Sequence, residues 1–343
     1  MKIGIAGLPK SGKTTLMKLL TQARGDAPVK STVQSVGVME VPDPRIDWLS
    51  RLYQPQRTIY ARNEVFDIQA HKGQELLNAV RNLDALIVVV ASFMADNAGS
   101  ALSIVDDLET EFFVADLSSV EGRLEKLGGH KAKPISAAEI PFLEKCRKAL
   151  DDSLPLRKVE FDPHEKDFLS NFAFFTMIPI IMAVNVSESA LVARDYLGRE
   201  ALEAKSSQMD YPVVVFSGEV EPEISALPED ERLGFLKEYG LEETGVSRIA
   251  KASYGCLGLI SFFTVGEDEV RAWTITRGMN ARQAAGKIHT DLEKGFIRAE
   301  VVAYDDLHAN GSMKACKDKG LFRVEGKEYI VKDGDILNIR FNV

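Results

Sequence analysis

A glycine-rich segment near the amino terminus carries the clearest chemical signal in the sequence. Residues 7–14, GLPKSGKT, match the pattern G-x-x-x-x-G-K-[ST] at each fixed position. In this pattern the glycines let backbone N–H groups turn inward around phosphate oxygens, and the following helix adds the positive end of its dipole. We expect Lys13 to reach the β- and γ-phosphates of a nucleotide and Thr14 to bind Mg²⁺. The other expected phosphate-binding residues are Lys10, Ser11, Gly12 and Thr15.

An aspartate at the end of an apolar run is expected to complete the metal site. Asp67 follows Val65 and Phe66, at the end of the second run that is typical of a sheet strand. In nucleotide-binding proteins with this loop, such an aspartate holds Mg²⁺ through the water shell of the ion. The alternative is that Asp67 only caps a turn.

These residues need a sheet to position them, and the sequence supplies its strands. Short runs rich in Val and Ile alternate with helical patterns. Nearly continuous apolar runs are typical of strands that are buried on both faces of a parallel sheet. We therefore predict a doubly wound α/β domain. The predicted strands cover residues 2–6, 64–68, 85–90, 179–184 and 212–216.

Two helical patterns interrupt this series of strands. Apolar residues from Phe113 to Leu127 recur at steps of four and three, and Leu143, Cys146 and Leu150 step by three and four. A pair of glycines and a proline separate the two patterns. We predict an antiparallel helical arm inserted into the α/β domain. Two ordinary surface helices are the alternative.

The pattern changes again towards the carboxyl terminus. One helical pattern at residues 280–292, several short strand patterns and glycine-containing turns predict a small α+β domain. Its predicted strands cover residues 270–276, 297–303, 321–324, 328–331 and 336–341. The predicted domains of the whole chain are residues 1–95 together with 176–262, residues 96–175, and residues 263–343.

The composition excludes several classes of protein. The 343 residues are 45% hydrophobic and 27% charged, as in soluble globular proteins, and the net charge of −9 argues against indiscriminate coating of nucleic acid. The longest apolar run, residues 85–91, is far shorter than the about 20 residues of a membrane-spanning helix. Three widely separated cysteines lack metal-ligand spacing and favour a reducing, cytoplasmic location.

Distinctive strings occur along nearly the whole chain. They are GLP at residues 7–9, PDPR at 42–45, DI at 67–68, NVSE at 185–188, VRAWT at 270–274, IHTD at 288–291, EKGFIRAEV at 293–301 and RFNV at 340–343. Together they resemble the YchF / Obg-like ATPase family. The resemblance implies a P-loop G domain related to translation factors, an inserted helical arm and a C-terminal TGS domain of β-grasp type. It also implies a preference for ATP and contact with the ribosome or RNA, and we expect a monomer with no membrane partner and no DNA specificity.

The resemblance places residues 185–188 at the base of the nucleotide. Guanine-specific relatives carry N-K-x-D, whose aspartate accepts hydrogen bonds from guanine N1–H and the 2-amino group. Here Val186 replaces the lysine, and the acid is the longer Glu188. Adenine offers an N6 donor and an N1 acceptor, which the Asn185 side chain and the backbone near Val186 can match, so we expect ATP in preference to GTP. An ordinary loop with a solvated Glu188 is the alternative.

The segment after Asp67 departs from the family pattern D-I-A-G. Ala70 replaces the glycine whose N–H meets the γ-phosphate, and the loop before a helix near Gly73 is shorter. Gln69 and His71 lie in the right segment to orient an attacking water, and we take them as the candidate catalytic residues beside Lys13. Loop residues without a catalytic part are the alternative.

Two further positions differ from the family. The Mg²⁺-binding threonine of the family aligns with Ser31, at the end of a shorter segment, and either Ser31 or the adjacent Thr32 can supply the hydroxyl. A polar loop that binds no metal is the alternative. Lys10 stands where the family has an asparagine that helps to hold K⁺, and its ammonium can take the place of that ion. A lysine that points into solvent is the alternative.

The sequence leaves two functions open. We expect a slow, switch-type ATPase that contacts the ribosome or RNA through the arm and the TGS domain. The alternative is a nucleotide-gated ribosome- or RNA-binding module that does not hydrolyse the nucleotide. Two sets of basic residues can contact phosphates, although each set is also typical of a solvated surface. They are Arg123, Lys126, His130, Lys131 and Lys133 near the arm turn, and Arg277, Arg282, Lys287, Lys294 and Arg298 in the C-terminal domain.

Overall fold

The computed structural model describes residues 1–21, 29–30, 35–128 and 134–342. Five residues named above lie outside these ranges, so the predictions for them stay predictions: Ser31, Thr32, His130, Lys131 and Lys133. The strands are β1 Lys2–Gly7, β2 Val29–Lys30, β3 Ser35–Val41, β4 Arg57–Ile59, β5 Ala61–Asp67, β6 Ala85–Ala91, β7 Ile180–Asn185, β8 Val213–Phe216, β9 Leu259–Val265, β10 Glu269–Thr276, β11 Phe296–Ala303, β12 Arg323–Glu325 and β13 Asp335–Phe341.

The helices of the described residues include single-turn elements and one helix of 31 residues. They are α1 Lys13–Thr21, α2 Pro44–Tyr53, α3 Gly73–Val80, α4 Ala98–Gly128, α5 Pro134–Asp151, α6 Pro163–Leu169, α7 Glu188–Ala193, α8 Arg199–Met209, α9 Val220–Ala226, α10 Glu229–Glu238, α11 Gly245–Cys256, α12 Ala281–Ile288, α13 Thr290–Lys294, α14 Tyr304–Asn310 and α15 Met313–Asp318.

The chain forms two compact units. The first contains residues 1–37 and 64–249, and the second contains residues 38–63 and 250–343. The two units follow from the contacts within the chain, whereas the three predicted domains also separate the helical arm from the sheet that carries it. The domain boundaries given above therefore stay a prediction.

A seven-stranded sheet carries the elements of the P-loop. Its strand order is β2-β3-β5-β1-β6-β7-β8. From β5 to β8 the strands are parallel, and β1 lies between β5 and β6, with Ile5 opposite both Asp67 and Ile87. Every residue of β7 is buried, as the continuous apolar run predicts. The predicted α/β fold is confirmed. Because parallel strands end at the same edge of a sheet, the loops that follow β1, β5 and β7 meet there.

The helical segment between β6 and β7 has a core of its own. α4 and α5 pack along a buried cluster that includes Val120, Phe142 and Leu143. The apolar positions between residues 113 and 127 that predicted the arm line this cluster. At the base of the arm the buried carboxylate of Asp116 accepts hydrogen bonds from the backbone N–H groups of Phe175 and Thr176, each at 2.8 Å. The returning chain is thereby fastened to α4.

The second unit contains a six-stranded sheet in the order β12-β11-β13-β9-β10-β4. A capping box formed by Asn280 and Gln283 starts α12. The predicted single helix over 280–292 is wrong, because His289 is extended (φ −161°, ψ 145°) and its side chain caps α13 instead. The predicted strand at 328–331 is also wrong, since the pairing described there is a single bridge between Ile330 and Asn280.

Across the described ranges, the helices are too short or too polar to cross a bilayer.

Candidate functional site

The loop from β1 to α1 has the backbone that its glycines allow. Gly7 and Gly12 have positive φ angles of 154° and 100°, and Lys10 is left-handed at 66°. A Cβ placed on Gly7 would lie 2.8 Å from the Val89 carbonyl oxygen and 2.9 Å from Ser11 Oγ. The loop therefore requires glycine at its first position, both for its backbone conformation and for the close approach of β6.

Lys13 lies buried at the start of α1 and points back into the loop. Its side chain is 7% exposed, and Nζ donates a hydrogen bond to the Gly7 carbonyl oxygen at 2.7 Å. Burial lowers the pKa of Lys13, and the nearby carboxylate of Asp67 partly opposes this shift. An ammonium that points back into this glycine-containing loop makes the loop suited to binding an anion with several oxygens.

Asp67 lies at the carboxyl end of β5 and is 3% exposed. Burial raises its pKa, whereas Lys13 and a hydrogen bond from the Gln69 side chain lower it. Among the described residues, its Oδ1 is buried without a hydrogen-bond partner. Mg²⁺ prefers oxygen ligands and retains several waters, so this oxygen and the exposed Thr14 hydroxyl at the start of α1 fit the ion. The structure does not describe Ser31, the third expected metal ligand.

Asn185, at the end of β7, ties two loops together. Its Nδ2 donates to the Ser11 carbonyl oxygen, and its Oδ1 accepts from the Gly218 N–H, both at 2.9 Å. A Cβ on Gly12 would lie 2.3 Å from Nδ2, so the packing depends on glycine there. The sequence did not predict this link between the P-loop and the loop after β8. Adenine recognition by the Asn185 side chain stays a prediction.

The other two residues expected at the base lie beside Asn185. Val186 is buried, and its N–H donates to the Phe216 carbonyl oxygen at 2.9 Å. Glu188 is the first residue of α7, and its Oε1 accepts a hydrogen bond from the Tyr239 hydroxyl at 2.6 Å. This hydrogen bond raises the pKa of Tyr239 to about 12, so the phenol is a donor at neutral pH. One oxygen of the Glu188 carboxylate is therefore hydrogen-bonded to the protein.

Gln69 and His71 both lie close to the phosphate loop. The exposed Gln69 hydrogen-bonds Asp67, and the His71 imidazole hydrogen-bonds the Gly7 backbone. In the described part of the chain, His71 Nδ1 is buried without a partner. Burial and the charge of Lys13 lower the pKa of His71, which keeps the ring neutral near pH 7. A neutral imidazole with a vacant nitrogen is able to accept a hydrogen bond from water.

The rest of the segment after Asp67 is anchored to the arm. Ala70 packs against the core of the first unit. Gly73 has a φ of 67° and starts α3, and its N–H donates to Oε1 of Glu111 on α4 at 3.1 Å. The shortened loop is thus fixed at both ends, by the sheet and by α4.

Exposed side chains border the phosphate loop. Lys10 is exposed in the left-handed turn, so its ammonium role stays a prediction. Leu8 is 42% exposed, and Phe93 and Met94, which follow β6, are 52% and 46% exposed. Large apolar side chains at the carboxyl edge of a parallel sheet are suited to contact a nucleotide base or its ribose.

Some contacts of the site could not have been found from sequence patterns. Gly218 follows the strand pattern at residues 212–216, so its place at the sheet edge had a signal of the same kind as Asp67. Tyr239 has no such signal, because it lies 51 residues from Glu188 and meets it only in the folded chain. The same holds for Glu111, which lies 38 residues from Gly73.

Comparison with known proteins gives matches over the whole chain. The family model YchF-GTPase_C, described as a protein of unknown function (DUF933), matches residues 259–342. The ribosome-binding ATPase YchF of Bacillus subtilis (strain 168) is 39% identical over 364 residues, which covers 99% of each chain. The Obg-like ATPase 1 of Caenorhabditis elegans is 36% identical over 368 residues, covering all of this chain and 92% of that protein.

A solved structure shows the same architecture. The YchF GTPase of Schizosaccharomyces pombe superposes with a TM-score of 0.87 at 27% identity, over 99% of this chain and 97% of that one. The P-loop, the sheet that positions it and the sequence identity over the full length all indicate the same family. The chain belongs to the YchF family of P-loop proteins.

Proposed function

We propose that this protein is a slow, switch-type ATPase that binds Mg²⁺ and ATP at the P-loop and prefers ATP to GTP. The observation that carries the proposal is the buried pair of Lys13 and Asp67, with a carboxylate oxygen that has no partner among the described residues, beside a loop whose glycines have positive φ angles. Leaving such groups buried is costly unless a charged ligand compensates them. The names of the bacterial relatives, ribosome-binding ATPases, support the same activity.

Different residues of the loop bind the phosphates and the metal ion. Backbone N–H groups from Lys10 to Thr15 bind the phosphates, and Lys13 exchanges the Gly7 carbonyl oxygen for phosphate oxygens. The Thr14 hydroxyl and the carboxylate of Asp67 are the groups that would hold Mg²⁺. When bound there, the ion would supply positive charge close to the phosphates.

His71 is the better placed of the two candidates for orienting the attacking water. The Gln69 side chain already hydrogen-bonds Asp67, whereas His71 keeps a buried, unpartnered Nδ1 among the described residues. Its lowered pKa keeps that nitrogen unprotonated at neutral pH. Water held there can transfer its proton as it attacks the γ-phosphate.

Contact with the ribosome or RNA is the second part of the proposal. It rests on the names of the bacterial relatives and on exposed basic residues. Arg123, on the arm, is partly neutralised by two hydrogen bonds to Glu139 at 2.8 Å, which leaves Lys126 as the exposed cation of α4 near the turn. In the C-terminal domain all five basic residues expected from the sequence to contact phosphates are exposed: Arg277, Arg282, Lys287, Lys294 and Arg298.

The second candidate, a nucleotide-gated module without hydrolysis, is favoured by Ala70, whose packing restrains the segment that approaches the γ-phosphate. Single-turnover hydrolysis of ATP, with and without ribosomes, separates the two functions. We expect slow phosphate release by the wild-type protein and none by Lys13→Ala, with Lys18→Ala on the exposed side of α1 as the matched control. Tight ATP binding without any release would instead support the second candidate. Wild-type affinity in Lys13→Ala would show that the P-loop is not the site.

A further inference from the structure

The carboxylate of Glu188 is engaged by a side chain of the protein itself. Its Oε1 accepts the Tyr239 hydroxyl at 2.6 Å, which is a short, charge-assisted hydrogen bond. Within the described residues, the contact of this carboxylate with the protein is made through Oε1, so Oε2 is the oxygen without a protein partner.

Tyr239 is held firmly enough to fix the carboxylate. It caps the carboxyl end of α10, and its ring packs against Phe235 with centroids 5.4 Å apart. The next residue, Gly240, has a φ of 65°, and its carbonyl oxygen accepts from Arg194 Nη2 at 2.8 Å. Arg194 ends the helix that Glu188 begins. Two hydrogen bonds, one at each end of α7, therefore join α7 to the end of α10.

The number of available carboxylate oxygens matters for the choice of base. Guanine presents two adjacent donors, N1–H and the 2-amino group, which together match both oxygens of one carboxylate. Adenine has a single donor group on its ring edge, the 6-amino group. A carboxylate with one oxygen engaged and its plane fixed suits a single donor better than a pair. A guanine donor that is left without an acceptor in the complex lowers the affinity, by roughly tenfold.

We propose that Tyr239 is a specificity-determining residue, which discriminates against guanine by holding Oε1 of Glu188 away from the base. This inference rests on the proposed function, since it assumes that Glu188 faces the base of a bound nucleotide. Tyr239 acts through Glu188 and does not itself contact the nucleotide.

The variant Tyr239→Phe tests the proposal, because we expect it to bind GTP more tightly than the wild-type protein does. Removal of the hydroxyl releases Oε1, so the affinity for Mg²⁺–GTP rises roughly tenfold while the affinity for Mg²⁺–ATP changes less than about twofold. Both dissociation constants are measured by isothermal titration calorimetry. Tyr196→Phe, another partly buried tyrosine of the same unit, is the matched control and leaves both values unchanged. Loss of packing alone would weaken both nucleotides together and leave their ratio unchanged.

A second variant shows whether the effect passes through the carboxylate. In a Glu188→Gln background, Tyr239→Phe no longer shifts the ratio of GTP to ATP affinity, because the acceptor pair that guanine needs is gone. A wild-type protein that binds ATP and excludes GTP, combined with an unchanged ratio in Tyr239→Phe, overturns the inference and leaves the proposed function intact. A wild-type protein that binds neither nucleotide overturns the proposed function, and the inference with it.

Discussion

Oε1 of Glu111 on α4 accepts a hydrogen bond from the N–H of Gly73, the first residue of α3, at 3.1 Å. Gly73 closes the segment that starts at Asp67 and contains His71, and Glu111 belongs to the helix that continues into the arm. This contact joins the segment after Asp67 to the base of the arm.

The first prediction concerns this hydrogen bond. Glu111→Ala leaves the Gly73 N–H without its acceptor and lowers the free energy of unfolding by about 1–2 kcal/mol. Hydrogen–deuterium exchange in the peptide covering residues 67–80 becomes faster, while exchange in β1 is unchanged. Glu111→Gln retains an acceptor oxygen and serves as the control. Equal exchange in the alanine variant and the wild-type protein would show that the contact does not hold the segment.

The second prediction concerns the pH dependence that His71 introduces. Its pKa in the folded protein lies below the ordinary value of 6.5, so on acidification the unfolded chain takes up the proton first. Above that value both states carry a neutral ring and His71 contributes nothing to the pH dependence. Between about pH 6.5 and the lower folded pKa the free energy of unfolding falls as the pH falls. Urea titrations should show this fall in the wild-type protein and a smaller one in His71→Gln.

The same residue links pH to turnover. If water is oriented at Nδ1, single-turnover hydrolysis by the wild-type protein declines in acid as the ring takes up a proton. His71→Gln, which cannot titrate, has a slower rate that is flat over the same range. Wild-type rates in that variant at every pH would remove His71 from the mechanism.

The third prediction concerns the link made by Asn185. Asn185→Ala leaves both the Ser11 carbonyl oxygen and the Gly218 N–H without their partner, so thermal stability falls by the equivalent of about 1–3 kcal/mol and ATP binding weakens. Asn185→Asp keeps the acceptor for Gly218 but places an oxygen against the Ser11 carbonyl, which is repulsive. We expect it to be no more stable than the alanine variant. Differential scanning calorimetry of both variants is the measurement, and wild-type stability in Asn185→Asp contradicts the assigned contacts.

The fourth prediction concerns Lys10 and monovalent cations. If its ammonium offsets charge on the phosphate bridge, ATP hydrolysis is insensitive to exchange of K⁺ for Na⁺. Lys10→Asn then lowers activity in Na⁺ and regains part of it in K⁺. Asparagine adopts the left-handed backbone of residue 10 more readily than most residues, so the variant leaves the loop intact. Steady-state phosphate release at matched ionic strength is the test, and strong activation of the wild-type protein by K⁺ would refute the idea.

Local patterns predicted the parts of the fold that depend on local physics. The apolar runs at 2–6, 85–90 and 179–184 correspond to β1, β6 and β7 within one residue at each end, because a strand buried on both faces leaves no room for polar side chains. The strands β2, β3, β4 and β9 were missed, and of these β2 and β4 are short and carry no such pattern. The helix predicted over 280–292 failed at His289, where a cap formed by the side chain itself outweighs the helical periodicity around it.

The site shows the same division between local and distant contacts. The P-loop is one continuous segment, so its fixed spacing identified Lys13 and Thr14 directly. The direction of the Asn185 amide depends on a carbonyl oxygen 174 residues away, and no pattern of one segment contains that information. Gly12 was expected to bind the phosphates, and that role stays a prediction. In the structure its lack of a side chain leaves space for the Asn185 amide, which the motif does not indicate.

The two backbone hydrogen bonds that Asp116 accepts bear on the order in which the chain folds. β6 and β7 are neighbours in the sheet, yet residues 92–179 separate them, and closing a loop between the strands costs entropy before they can pair. In the folded protein Asp116 joins the chain that precedes β7 to α4, which follows β6. We expect the arm to form first and to shorten the loop that must close, so that assembly of the sheet follows assembly of the arm.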